Sequence, residues 1–228
     1  MPDASAIDAP PRWASFDCYG TLIDWMGGLR AALADVWPTR DPDLLLARYH
    51  ALEPEVQAGR GVPYRQVMAE VLARVATEEK LVVPPGREDV LGASLPSWPP
   101  FPETREALGE VHRRGWRIAI LSNTDADLLD ASLGAIGVPV DARIVASEIG
   151  SYKPAFGHWD AFFERTGADR SRHVHVGASL FHDVEPSAKL GLPCVWIDRE
   201  GMTSSVPRAA DLPDLRALPD TLDRLVPA

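Results

Sequence analysis

Cysteine and long hydrophobic runs are scarce in this sequence of 228 residues. Its two cysteines, Cys18 and Cys194, lie far apart and match neither a metal-ligand spacing nor a disulfide framework, so we expect both to be reduced. The six histidines form no HxxxH or HExxH pattern, which argues against structural zinc. No apolar run approaches the length of a bilayer-crossing helix, and we therefore expect no membrane span.

Basic residues are also in short supply. The 23 Lys and Arg residues are outnumbered by 33 Asp and Glu, and the formal net charge is −10. This balance disfavours nucleic-acid binding, which needs clustered basic residues, but it is compatible with a small anionic substrate. Residues 1–11, MPDASAIDAPP, lack the features of a secretory signal and predict a loose tail, so we expect a cytoplasmic protein. The oligomeric state stays open, with a homodimer among the alternatives.

Two hydrophobic patterns divide the rest of the chain. Residues 25–97 carry apolar residues at helical spacing in segments separated by Pro and Gly, and a Pro-rich break, LPSWPPFP, closes this block. Beyond it, the strand patterns WRIAILS, ARIVAS, HVHVG and CVWID alternate with helical patterns. This alternation predicts a parallel sheet that is covered by helices on both faces.

The strand pattern at residues 13–16 has no partner nearby in the sequence. Only the later strands can pair with it, so we predict one α/β domain formed by residues 1–24 and 98–228, with the helical block 25–97 as an insertion.

Polar residues follow the predicted strands. Asp17 comes directly after the first strand, Ser122 and Asn123 end the second, Lys153 lies in a later loop, and Asp183 follows HVHVG. Ligands of open parallel sheets bind beyond the carboxyl ends of the strands, so we predict that these side chains surround one site. A carboxylate at the end of a buried strand is costly unless it is used.

Four segments resemble the signature motifs of the haloacid dehalogenase superfamily. They are FDCYGTLID, ILSNTD, SYKP and HVGASLFHDVEPSAKLG, in this order, and the resemblance covers nearly the whole chain. It implies a Rossmann-like core with an inserted helical cap and an aspartate nucleophile, here Asp17. The superfamily contains many phosphatases as well as dehalogenases, so membership alone leaves the reaction open.

Two positions favour the dehalogenases. Phosphatases of the superfamily carry a second aspartate two positions after the nucleophile and an acid after the Gly of the last motif, where this chain has Tyr19 and Ala178. The pattern Asp-x-Tyr-Gly-Thr-Leu is similar to that of the L-2-haloacid dehalogenases, which implies no metal and no cofactor. In that family the aspartate attacks the Cα of a small carboxylate substrate, halide leaves, and water hydrolyses the resulting ester.

The resemblance also suggests roles for individual residues. Thr21 orients Asp17, Lys153 holds Asp17 deprotonated, and Asp183 binds Lys153 or activates the hydrolytic water. Arg48 lies 31 residues after Asp17, where the family keeps a cap arginine that assists the substrate and the halide, although it could equally be a solvent-facing residue. The full predicted set comprises catalytic Asp17, Lys153, Asp183, Thr21 and Ser122 and substrate-binding Tyr19, Arg48, Asn123, Trp159 and Phe181.

Departures from the dehalogenase pattern keep three alternatives open. The last motif has Ala178 and Leu180 where the family has Ser and Asn, and Trp159 replaces a Tyr. A Mg²⁺-dependent phosphatase could hold its ion with Asp183 and the Tyr19 carbonyl. A catalytically silent or binding relative, or a hydrolase that opens a strained ring next to a carboxylate, would also fit.

Overall fold

The architecture is a six-stranded, fully parallel sheet with helices around it, in a computed structural model that describes residues 9–228. Residues 1–8, most of the predicted loose tail, lie outside the described residues. The strand order is β3-β2-β1-β4-β5-β6. The strands are β1 (Arg12–Phe16), β2 (Trp116–Ser122), β3 (Ala142–Val145), β4 (His173–Gly177), β5 (Cys194–Ile197) and β6 (Ala210–Leu212).

Ten helices connect and cover the strands of the described chain. They are α1 (Trp25–Val36), α2 (Pro42–Gln57), α3 (Tyr64–Glu78), α4 (Val90–Ser94), α5 (Thr104–Arg113), α6 (Ala126–Ile136), α7 (Ala146–Ile149), α8 (Gly157–Thr166), α9 (Glu185–Lys189) and α10 (Leu218–Leu225). Helices α1 to α4 lie between β1 and β2, and we call them the cap. The predicted α/β class, a Rossmann-like parallel core with a helical insertion, is confirmed.

The register of the central strands places their carboxyl ends side by side. Strand β1 lies between β2 and β4, and Phe16 is level with Ile120 on one side and Val176 on the other. All five residues of β1 are buried. A strand that is covered on both faces has no solvent-facing side, and the Ser15 hydroxyl of β1 is accordingly buried against His173 and His175, at 2.8 Å from each.

The apolar interior of the cap is continuous with that of the sheet. The cap helices bury residues at helical spacing, such as Leu29 and Leu33 of α1 and Val67 and Val71 of α3. Gly28 lies against the indole of Trp98, where any Cβ atom would collide with the ring. The contact explains a glycine in the middle of α1, where it otherwise lowers helix stability.

Core and cap also share polar contacts. Asp125, at the start of α6, accepts hydrogen bonds from the backbone N–H groups of Tyr64 (2.8 Å) and Arg65 (3.1 Å) at the start of α3. The preceding residue, Pro63, supplies no side-chain cap of its own. A carboxylate of the core therefore satisfies the orphan N–H groups of a cap helix.

The C-terminal elements β6 and α10 were not predicted. Strand β6 has three half-buried or exposed residues at the edge of the sheet, too few to produce a strand pattern. Helix α10 carries Asp223, which binds Arg12 of β1 at 2.8 Å.

Cys18 and Cys194 are buried and free, as expected. Within residues 9–228, every helix is too short or too polar to cross a membrane.

Candidate active site

Lys153 connects the two acids that the sequence places after neighbouring strands. Its ammonium donates to Oδ1 of Asp17 at 2.9 Å and to Oδ1 of Asp183 at 2.7 Å. Asp17 extends β1, and its backbone N–H continues the ladder to Val176 of β4. The parallel register thus brings the three predicted residues into direct contact, with Lys153 1% exposed and Asp183 fully buried.

Asp183 belongs to one π-helical turn, Leu180–Val184, that follows β4. Its Oδ1 also forms a hydrogen bond with His175 Nε2 at 3.3 Å, and its Oδ2 accepts a hydrogen bond from the Ser179 backbone N–H at 3.2 Å. A Cβ atom at Gly177 would collide with the Asp183 carboxyl group, so the final residue of β4 must be a glycine for this carboxylate to approach.

The shared ammonium affects the two carboxyl groups differently. Burial raises the pKa of Asp17 and the nearby Asp183 carboxylate adds to the rise, while Lys153 and Thr21 oppose it without cancelling it. Burial would also raise the pKa of Asp183, but Lys153 and His175 hold that pKa well below its ordinary value. Burial lowers and the two carboxylates raise the pKa of Lys153, with a net rise, so the lysine remains charged.

Thr21 orients Asp17 from the opposite side. Its hydroxyl donates to Asp17 Oδ2 at 2.8 Å and accepts from the Ala178 backbone N–H at 2.9 Å, which ties the turn after β1 to the end of β4. Gly20, with a φ of +91°, allows this turn to bend. Both Asp17 oxygens therefore have a fixed partner.

Ser122 and Asn123 close the site from β2. The Asn123 side chain holds the backbone of Lys153 from both sides, because Oδ1 accepts from its N–H at 2.7 Å and Nδ2 donates to its carbonyl oxygen at 2.9 Å. The Ser122 hydroxyl is buried and has no hydrogen-bond partner among the described residues. It lines the cavity beside Asp17 and is available to a ligand.

A cavity of about 640 Å³ opens over these groups, between the core and the cap. Its core wall includes Asp17, Lys153 and Asp183, and α2 provides part of its cap wall. Phe181, which is 45% exposed, lines the cavity. Tyr19 also lines it, but its hydroxyl contacts Ser132 of α6 at 3.0 Å, and burial raises the pKa of this phenol.

The structure does not bring Arg48 to the cavity, although the sequence predicts it as a substrate-binding residue. This side chain is 55% exposed on the outer face of α2 and pairs with Glu79 at 3.1 Å, outside the cavity. The sequence-based alternative, a solvent-facing arginine, describes its position. Arg48 follows Asp17 at the spacing of the family's cap arginine, but the orientation of α2 turns its side chain towards solvent.

Trp159, also predicted as a substrate-binding residue, does not line the cavity. It is fully buried on the far side of β4, where its ring lies 5.1 Å from that of His175 and packs in a cluster with Trp13 and Phe162. Trp159 therefore supports the strand that carries His175, and it does not reach the cavity wall.

Sequence reasoning missed four charged residues of the cavity wall, which are Asp24, Glu53, Arg199 and Glu200. Arg199, beyond β5, donates to Glu103 at 2.8 Å and its guanidinium lies 3.5 Å above the centre of the Phe101 ring. Glu53 projects from the cap, and burial raises its pKa to about 7 although hydrogen bonds from Tyr64 and Tyr49 oppose the rise. The DRE sequence at residues 198–200 and the LEPE sequence at residues 52–55 offered no recognisable signal.

The described residues offer few side-chain ligands to the magnesium ion of the phosphatase alternative. Both oxygens of Asp183 and both of Asp17 already have protein partners, and Ala178 occupies the position after Gly177. Across residues 9–228, no three His, Cys, Asp or Glu side chains are grouped so that they could hold a metal ion. Mg²⁺ needs several oxygen ligands in octahedral geometry.

Comparison with known proteins identifies the family. A model of the haloacid dehalogenase-like hydrolases matches residues 12–191. The chain belongs to this family of hydrolases. The superfamily predicted from the four motifs is thereby confirmed, and the hydrolase has curated relatives with different activities.

The hydrolase is 28% identical to haloacetate dehalogenase H-2 of Moraxella sp. (strain B), across 82% of this chain and 85% of the relative. It is also 28% identical to phosphoserine phosphatase of Thermus thermophilus, across 76% of this chain and 69% of the relative. The solved L-2-haloacid dehalogenase from Xanthobacter autotrophicus has a TM-score of 0.81 at 19% identity, covering 94% of the hydrolase and 99% of that chain. At this identity the structural likeness concerns the fold.

Proposed function

We propose that the hydrolase replaces the halogen of a 2-halo carboxylic acid with a hydroxyl group, without a metal ion, through an ester on Asp17. The relatives that support this are haloacid dehalogenases, among them the haloacetate dehalogenase of Moraxella. The residues proposed as catalytic are Asp17, Lys153, Asp183, Thr21 and Ser122.

The observation that carries the proposal is the position of the Tyr19 phenol. In the superfamily's phosphatases an acid at this point protonates the leaving group, whereas Tyr19 turns its hydroxyl to Ser132. Burial raises the pKa of this phenol further from neutrality, so it is a poor proton donor and acceptor in a catalytic cycle. A halide leaves as a stable anion and needs no such acid.

The first step is a displacement at carbon. An oxygen of Asp17 attacks C2 of the substrate, the carbon–halogen bond breaks, and the halide takes the bonding electrons. Lys153 and Thr21 fix the two Asp17 oxygens and so aim the attacking carboxylate. Burial raises the pKa of Asp17 and the Lys153 ammonium opposes that rise, so we assign to Lys153 the role of keeping Asp17 ionised for attack.

The second step returns the free aspartate. Water attacks Cγ of Asp17, the Cγ–O bond to the substrate breaks, and the 2-hydroxy acid leaves with one former Asp17 oxygen while a proton is released. Asp183 positions Lys153 in both steps, since Lys153 occupies its Oδ1. We assign the binding of the substrate carboxylate to Ser122 and Arg199, which both line the cavity. The buried Ser122 hydroxyl has no partner in the described chain.

Heavy-oxygen water tests the ester directly. After many turnovers of a 2-halo acid, mass spectrometry of the peptide that contains Asp17 should show solvent oxygen in its carboxyl group, and the same turnover should persist in EDTA. Asp17→Asn should release no halide and remain unlabelled.

The rival reactions give different labels. A phosphatase places the solvent oxygen in phosphate and leaves Asp17 unlabelled, and a silent relative labels nothing. Halide release with an unlabelled Asp17 would contradict the covalent mechanism, and loss of turnover in EDTA that Mg²⁺ restores would contradict the metal-independent one.

A further inference from the structure

One face of α2 presents polar side chains to the cavity. His50, Glu53 and Gln57 follow each other at intervals of three and four residues, the spacing of a single helix face, and all three line the cavity. Glu53 is 6% exposed and Gln57 is 5% exposed. A carboxyl group and an amide buried this deeply need hydrogen-bond partners.

Glu53 has partners on one oxygen only. Its Oε1 accepts from the Tyr64 hydroxyl at 2.7 Å and from the more distant Tyr49 hydroxyl at 3.5 Å, and Trp25 Nε1 donates to the Tyr64 oxygen at 3.2 Å. These contacts hold the carboxyl group in one orientation. Its Oε2 has no hydrogen-bond partner among the described residues.

Gln57 provides a second acceptor on the same face. Its Oε1 is buried and has no partner in the described part of the chain. Among the described residues, neither Glu53 nor Gln57 forms a hydrogen bond with Asp17, Lys153 or Asp183, so these acceptors are not part of the reacting group. Gln57 Oε1 is a buried acceptor without a donor, and Glu53 Oε2 is a second acceptor without a donor on the same cavity wall, so the pair is a site for a ligand that carries a donor.

The cavity is also larger than the reacting end of a substrate requires. Its volume of about 640 Å³ lies in the range of pockets that enclose drug-sized ligands, whereas a haloacetate has only five heavy atoms. The remaining space extends to the cap and to α2. A short acid bound at Asp17 would leave the acceptors of α2 without a donor.

We propose that Glu53 and Gln57 form a second subsite of this cavity, which binds a hydroxyl or ammonium group at the far end of a longer 2-halo acid. The inference rests on the proposed function for the reacting end. In this binding mode, the carboxylate of the substrate lies near Ser122. The donor group at the other end of the substrate hydrogen-bonds to Glu53 Oε2 and Gln57 Oε1.

Matched substrates test the subsite. We compare halide release from 2-chlorohexanoate with release from its 6-hydroxy and 6-amino analogues. Both donor-bearing acids should have a KM about tenfold lower at similar kcat, because a contact remote from the reacting carbon binds the ground and transition states equally. Equal KM values for the three acids would overturn the proposal.

Variants assign the preference to Glu53. Glu53→Leu should abolish it, while Glu53→Gln, which keeps a carbonyl acceptor but loses the charge, should retain the hydroxyl preference and weaken the ammonium preference. Glu55→Gln is the matched control, since Glu55 lies on the same helix with its side chain 67% exposed. Thermal unfolding checks that each variant is folded, and an unchanged preference in folded Glu53→Gln and Glu53→Leu would contradict the assignment.

A binding experiment separates this inference from the proposed function. If the wild type releases no halide from any of the three acids, the proposed function fails, and calorimetry with hexanoate, 6-hydroxyhexanoate and 6-aminohexanoate then decides the subsite. Tighter binding of the two donor-bearing acids, lost in Glu53→Leu, supports it. Equal affinities for the three acids overturn it.

Discussion

Arg199 donates a hydrogen bond of 2.7 Å from Nη2 to the backbone carbonyl oxygen of Thr21. The Thr21 hydroxyl donates in turn to Asp17, so a guanidinium beyond β5 contacts the turn that orients the proposed nucleophile. The Arg199 side chain is 17% exposed, and its Nε is buried without a partner among the described residues. In the described cavity wall, Lys153 is the only other lysine or arginine.

Replacement of Arg199 by alanine should therefore reduce kcat/KM for a 2-halo acid by roughly ten- to hundredfold, because a charge-assisted contact to the substrate carboxylate is lost. Steady-state halide release measures the effect. Arg199→Lys should restore little of the activity, since an ammonium does not reproduce the planar guanidinium that binds Thr21 and Glu103.

Arg48→Ala is the comparison for this variant. Arg48 lies outside the cavity with its side chain more than half exposed and pairs with Glu79, so we expect kcat/KM to change by less than about twofold. A large loss in Arg48→Ala together with wild-type rates in Arg199→Ala would show that the cap moves Arg48 into the site during turnover.

Gly177→Ala should displace Asp183. The added Cβ would collide with the carboxyl group that binds Lys153, and we expect a loss of stability of about 1–3 kcal/mol together with a marked fall in halide release. Gly134→Ala in α6 is a suitable control, since its Cβ meets no atom and alanine favours a helix. Urea unfolding and kinetics on both variants test the difference, and wild-type activity in Gly177→Ala would show that Asp183 is dispensable.

Glu53 should make stability depend on pH. Its pKa rises from 4.5 in the unfolded chain to about 7 in the folded one, because burial disfavours the charged form. The folded state binds this proton more tightly than the unfolded chain does. The contribution of Glu53 to the free energy of unfolding is therefore most favourable below pH 4.5, and it is lost as pH rises through 7. The change is on the order of 3 kcal/mol.

Urea unfolding of the wild type and Glu53→Gln at pH 5 and pH 8 measures this contribution. The variant has no proton to lose at this position, so its free energy of unfolding should gain on that of the wild type as pH rises. The other titrating groups are common to both proteins and cancel in the difference. A difference that stays constant with pH would mean that Glu53 ionises normally.

Asp125→Ala should loosen the start of α3. The substitution leaves the N–H groups of Tyr64 and Arg65 without an acceptor, at a cost of about 1–2 kcal/mol. Hydrogen exchange should accelerate at these two amides. Asp127→Ala removes an exposed partner of Arg65 and should cost much less, and equal effects of the two variants would argue against the capping role.

Buried parallel strands were the most predictable elements. The strands β2 and β4 were placed correctly from the sequence, because β2 is an almost continuous apolar run and the HVHVG sequence of β4 alternates with the period of a strand. The meeting of Asp17, Lys153 and Asp183 follows from the same geometry, since parallel strands in register end at one edge.

Helix rotation and loop direction were not predictable. Helix α2 carries apolar residues on more than one side, so its sequence does not decide whether Arg48 or Glu53 faces the core. In the fold Glu53 is buried and Arg48 is exposed. Arg199 lies in a loop whose course depends on contacts with Glu103 and Thr21, which are distant in sequence and produce no local pattern.

The cavity wall bears on how fast an anionic substrate can arrive. Five carboxyl groups line the described wall, against the two basic groups of Lys153 and Arg199: Asp17, Asp24, Glu53, Asp183 and Glu200. Burial lowers the pKa of His182 to about 4, so this imidazole adds no positive charge at neutral pH. With a net charge of −10 on the whole chain, long-range repulsion slows the diffusional encounter of carboxylates with the cavity mouth, and added salt, which screens that field, speeds it.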